Sequence, residues 1–204
     1  MRDTVKFVLK NSIIFALVSF GFSMIGGLFP ESEHTSVIGN PLVVSSVTYE
    51  HVLGHIFWGA LIGLATLSIR YIILGANFAF LLDADHLLQF LDIELVSRMS
   101  HSIPFAIIVT IVFFIVTRGR NIRICVVAFG AVLSHLAFDI FLAEFAFNKT
   151  TSFPLLSPFS LEKIEFEGVG MWFIIEILGI ALVGVTSYLY KRKQNKLKRN
   201  ITKT

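Results

Sequence analysis

The chain has 204 residues, 55% hydrophobic and 15% charged, with a formal net charge of +3. Soluble domains carry about 25% charged residues, so this balance and a mean hydropathy of +0.78 exclude an ordinary water-soluble fold. They predict an all-α, polytopic membrane bundle that uses residues 1–204 as one domain. The single cysteine, Cys125, excludes an internal disulfide and any multi-cysteine metal site.

Apolar runs of about 20 residues, the length needed to cross a bilayer, divide the chain into about six spans. They fall near 12–29, 52–69, 71–91, 102–117, 124–146 and 169–190. Arg2, Lys6 and Lys10 precede the first run as they would a signal peptide, but its length and the absence of a small-x-small cleavage site predict a retained span. The second and third runs are separated by little more than Arg70 and predict a tight helical hairpin. The fourth is short and requires tilted neighbours or a thinner bilayer. The 21 phenylalanines are read as packing and lipid-facing residues, not as a cofactor box.

Positive charge alternates along this series. Arg2, Lys6 and Lys10, then Arg118-Gly119-Arg120-Asn121-Ile122-Arg123, then the basic tail 191–204 would share one side of a six-span protein. The positive-inside rule makes that side cytoplasmic, termini included, in a plasma or inner membrane. The opposite loops hold Glu31, Glu33, Glu50, Asp92, Glu94, Glu162, Glu165 and Glu167 against Arg98, Lys149 and Lys163. The tail is therefore read as a topology signal that meets anionic headgroups, and no nucleic-acid partner is expected. Asn148-Lys149-Thr150 forms a glycosylation sequon on the outer side.

Ionisable groups in apolar surroundings cost roughly 2.5–3.5 kcal/mol each on insertion scales and mark function. Here they cluster at the predicted outer ends of different spans: His51 and His55, Asp83-Ala84-Asp85-His86, His101, and His135 with Asp139. The i,i+4 spacing of His51/His55 and of His135/Asp139 places each pair on one helix face. Asp83 and His86 share a face at i,i+3 while Asp85 points elsewhere. The third span is thus expected to end or unwind near Asp83 so that all three turn inward, which is tolerated at that depth only around a protein cavity. Mixed His and Asp ligands suit Zn, Mn or Fe, possibly two ions bridged by Asp83 or Asp85. The expected ligands are His51, Asp83, Asp85, His86, His101, His135 and Asp139.

At these residues the chain resembles the membrane-bound metal-dependent hydrolases, also described as LexA-binding, inner-membrane-associated hydrolases. The resemblance rests on His51-Val52-Leu53-Gly54, Asp83-Ala84-Asp85-His86, Arg98-Met99-Ser100-His101-Ser102, Ser134-His135-Leu136-Ala137-Phe138-Asp139 and Leu156-Ser157-Pro158-Phe159, covering about 50–160. The family commonly has Pro where this chain has Leu82. It also has a His-Arg-Gly-x-Thr-His-Ser string where this chain has Ser97, Met99 and Ser100 at the first His, the Gly and the Thr. What the missing histidine did, and whether His55 replaces it or merely packs, is left open by the sequence.

The combined expectation is a membrane-embedded metal-dependent hydrolase acting on a lipid-linked or phosphorylated substrate in contact with membrane lipid. Asp85 is the expected general base, and Arg98 either holds an anionic phosphate or pairs with Asp92 or Glu94. Glu176 is either a carboxylate of the site that reaches Arg98 or a polar residue facing the bundle. The alternatives are a divalent-metal or proton transporter, since Asp and His chains also mark ion pathways, and a non-catalytic membrane factor with a structural metal. The inner halves of the spans are nearly devoid of ionisable groups, which favours a one-sided pocket.

Overall fold

The computed structural model describes residues 2–29, 39–40, 42, 48–91, 98–147, 150–166 and 170–201. Glu31, Glu33, Asp92, Glu94, Ser97, Asn148, Lys149 and Glu167 lie outside them. Among the described residues, six α-helices form the bundle: α1 (Arg2–Ser23), α2 (Tyr49–Leu64), α3 (Ile69–Leu82), α4 (Ile103–Val116), α5 (Ile122–Phe147) and α6 (Met171–Ile201). A short antiparallel pair, β1 (Thr151–Phe153) and β2 (Ile164–Phe166), closes the α5–α6 connection. Among the described residues, four stretches are long and apolar enough to cross a membrane: Arg2–Leu28, Ile69–Phe90, Ile122–Phe145 and Met171–Leu197. At about 1.5 Å per residue, the 16 residues of α2 and the 14 of α4 fall short of a hydrocarbon layer of about 30 Å.

Aromatic side chains knit α1, α3 and α4 together. Phe15 stacks on Phe78 at 4.4 Å between centroids, Phe78 on Phe113 at 5.2 Å, and Phe105 meets Phe15 edge-on at 5.9 Å. All four are fully buried. On the outside, Leu9, Ile13 and Leu17 of α1 and Ile174, Leu178 and Leu182 of α6 are exposed at four-residue spacing, the stripe that lipid requires of a peripheral helix.

α2 and α3 make the expected hairpin, but Arg70 falls inside the first turn of α3 and the turn is 65–68, with Leu67 at φ 53°. Gly59, Gly63 and Gly75 allow the two backbones to meet: a Cβ at Gly59 would strike the Gly75 carbonyl, one at Gly75 the Gly59 carbonyl, and one at Gly63 the Tyr71 carbonyl. The Arg123 guanidinium caps this turn by donating to the Thr66 carbonyl at 2.8 Å and lies 4.6 Å over the Tyr71 ring.

The third apolar run is continuous in sequence, yet its α-helix ends at Leu82 and 83–91 winds as a 3₁₀ helix. At three residues per turn, Asp83, His86 and Gln89 share one column and Asp85 lies in another. The unwinding expected near Asp83 is present, and it leaves ligand atoms of Asp83, Asp85 and His86 within 4.8 Å of one another.

Candidate metal centre

One end of the bundle collects the expected ligands His51, Asp83, Asp85, His86, His101, His135 and Asp139 together with His55 and Arg98. Thr48 caps α2 by accepting from the His51 backbone N–H at 3.3 Å, which puts His51 and His55 in the first two turns. Asp83 begins the 3₁₀ helix. The His101 backbone N–H donates to the Arg98 carbonyl at 3.0 Å in the turn before α4, whose N-cap Ser102 accepts from Phe105 N at 3.3 Å. His135 and Asp139 project together from α5.

Two carboxylates organise four imidazoles. Asp83 Oδ2 lies 3.3 Å from His51 Nε2 and 3.4 Å from His55 Nε2, while its Oδ1 lies 3.4 Å from His101 Nε2 and 3.3 Å from His135 Nε2. Asp139 divides its oxygens in the same way. Its Oδ1 is 3.7 Å from His51 Nε2 and 3.3 Å from His55 Nε2, and its Oδ2 is 3.8 Å from His101 Nε2 and 3.7 Å from His135 Nε2. Within each histidine pair the Nε2 atoms converge to 2.7 Å (His51, His55) and 2.9 Å (His101, His135). The rings of His55 and His135 stack at 3.7 Å, joining the two halves.

His86 sits at the edge: its Nε2 is 3.6 Å from Asp83 Oδ1 and its Nδ1 is 3.3 Å from Gln89 Nε2. Arg98, at φ 61°, lies 5.1 Å over the Phe153 ring with its guanidinium 3.7 Å from Asp139 Oδ2. Asp85 lies beside the centre: one of its carboxylate oxygens, one of Asp83 and a ring nitrogen of His86 come within 4.8 Å of one another. Its Oδ2 accepts from Ser100 at 3.2 Å and Ser23 at 3.4 Å, and stands 3.9 Å from His101 Nδ1. Glu176 is buried and forms no ion pair with Arg98.

Three features suit this donor set to cations. The ring nitrogen of His135 that meets the Ala79 carbonyl at 2.7 Å has to be the N–H, since a carbonyl only accepts; its Nε2 lone pair therefore points into the cluster, as in ligand histidines fixed by an outer hydrogen bond. Asp83 and Asp139 bring two negative charges into a site where His55, His101 and His135 are almost fully buried, and such charge needs a counter-ion. Finally, donors around a tetrahedral ion with bonds of about 2.0–2.1 Å sit about 3.3–3.4 Å apart, the spacing found between Asp83 and its histidines.

His55 is the residue the sequence left open, and here it is central. Its one signal was the i,i+4 spacing from His51. Ser23, which donates to Asp85 with Ser100, carried none. The Leu156-Ser157-Pro158-Phe159 string earns its place as a brace: Ile103 N–H donates to the Leu155 carbonyl at 2.9 Å, Ser102 Oγ to the Ser157 carbonyl at 3.3 Å, and Ser157 Oγ to Met99 Sδ at 3.0 Å.

With this geometry in view, the comparison with protein families is decisive for most of the chain. The model of the YdjM inner membrane protein family matches residues 48–201. The chain belongs to that family. Every member of the cluster lies inside the YdjM match, which begins at the cap of α2; α1 lies before it. No curated protein and no solved structure matches.

Proposed function

We propose that this YdjM-family protein is a membrane-embedded metal-dependent hydrolase that acts on a lipid-linked or phosphorylated ester. One observation carries the reading: Asp83 and Asp139 each present one oxygen to the His51/His55 pair and the other to the His101/His135 pair. Such sharing would suit a pair of divalent ions.

His51 and His55 would hold one divalent ion and His101 and His135 the other, with both carboxylates shared. Ions held in this way supply Lewis acidity and a nucleophilic water at neutral pH. The protein's own groups do the rest. Arg98, about a third exposed at the rim, orients an anionic phosphoryl group, for which its planar fork is suited. His86, partly exposed beside Asp83, takes the proton released at its Nε2. Asp85 and Ser100 fix the ring of His101 from behind, so Asp85 serves by positioning a ligand. The exposed apolar residues Leu53, Leu87 and Phe90 flank His51 and His86 and favour a substrate presented from the lipid layer.

Full-length protein in detergent, without any gradient, is expected to hydrolyse a member of a panel of phosphoesters and lipid-linked esters and to lose turnover with a chelator. Metal flux into liposomes that depends on Asp83, with no turnover on the panel, would replace this reading with a transporter.

A further inference from the structure

A second candidate site lies at the opposite end of the bundle. Ile122 opens α5 thirteen residues before His135, so at about 1.5 Å per residue the two ends are about 20 Å apart. There the α4–α5 turn and residues 186–194 of α6 line an open cavity of about 600 Å³. Its lining divides by chemistry: Arg120, Lys193, Tyr190 and Thr186 are polar, and Ile122 and Leu189 are apolar. The Tyr190 hydroxyl donates to the Arg120 carbonyl at 2.9 Å, tying α6 to the turn and holding the cavity's two walls together.

Apart from Asp3 at the start of α1, the charge at this end is positive. The sequence has no acidic residue from 117 to 138 and none after Glu176. Neither Arg120 nor Lys193 forms an ion pair among the described residues, whereas the neighbouring Arg123 is spent on Thr66 and Tyr71. Just beyond the cavity, Ile115 and Val116 of α4 and Val185 of α6 are exposed and apolar. A ligand that fills this space is anionic at one end and hydrocarbon at the other. We infer that the cavity binds an anionic phospholipid, with its phosphate between Arg120 and Lys193 and acyl carbon against Ile122 and Leu189. Basic pockets between membrane helices are suited to such headgroups. Nothing in this argument uses the metal centre, so the two proposals stand or fall separately.

Native mass spectrometry of the full-length protein in detergent tests it with three probes: phosphatidylglycerol, phosphatidylcholine and inorganic phosphate. Phosphatidylglycerol adducts are expected to exceed phosphatidylcholine adducts, and to fall about tenfold in the double variant Arg120→Gln/Lys193→Gln. Lys193→Arg should keep them, as should Lys191→Gln/Arg192→Gln, whose side chains lie outside the cavity. An unchanged gel-filtration profile and thermal transition for the Gln variant show that it remains folded. Equal losses in the two double variants would mean unspecific attraction and overturn the site. So would equal retention of both lipids, or full displacement of phosphatidylglycerol by inorganic phosphate.

Discussion

At the scale of single residues, the roles of Asp83 and Asp85 separate although they stand two positions apart. Asp83 lies within 3.6 Å of five histidines; Asp85 accepts from two serines beside His101. Asp83→Ala and His135→Ala are therefore expected to abolish stoichiometric metal binding, measured by elemental analysis, whereas Glu165→Ala on β2 leaves it unchanged. Asp85→Asn should weaken metal affinity about 10–100-fold, the usual cost of losing a residue that orients a ligand, and turnover should recover when metal is added in excess. Turnover lost at full metal occupancy would return Asp85 to the general-base role that the sequence suggests. The ligand types were legible because His and Asp are expensive in apolar surroundings and recur at helical spacing. The direction in which each carboxylate points was not, because it depends on the winding of one segment and on serines from α1 and the 98–102 turn.

At the scale of elements, the metal centre depends on the contact between α2 and α3, which sets His51 and His55 against Asp83. Gly75→Ala would press a methyl group onto the Gly59 carbonyl. It is expected to cost about 1–3 kcal/mol, as overpacking does, and to lower metal content along with thermal stability. Gly21→Ala in α1 meets nothing within 4 Å, and should be neutral or slightly stabilising by helix propensity. Thermal unfolding of the two variants side by side checks this. Hydrophobic runs predicted the helices and their order because a bilayer demands length and apolarity. They also marked the fourth run as short, and the spacing of Asp83, Asp85 and His86 pointed to unwinding near Asp83; they did not reveal that α2 is short or that the unwound segment is a 3₁₀ helix, since hydropathy does not record winding. Nor does the sequence announce that α1 supports the centre, through Ser19 Oγ donating to the Leu82 carbonyl at 3.1 Å and Ser23 to Asp85.

At the scale of the whole molecule, the clustered ionisable groups occupy one end and the basic segments the other. The positive-inside rule then predicts that the metal centre faces away from the cytoplasm. In a Cys125→Ala background, Lys163→Cys should react with an impermeant maleimide in intact cells and Asn195→Cys only after permeabilisation. The reverse pattern would put the centre on the cytoplasmic side. Lys163 is the better probe because it is exposed, whereas Ser157 in the nearby bracing loop is fully buried. The central claim is that two shared carboxylates and two histidine pairs hold divalent metal. Its most direct test is elemental analysis of full-length protein purified without chelator and then reloaded with zinc, manganese or iron. The account predicts a content approaching two ions per chain that falls in Asp83→Ala and in His55→Ala. Reloaded protein with no bound metal, or with the same content in parent and both variants, would contradict it.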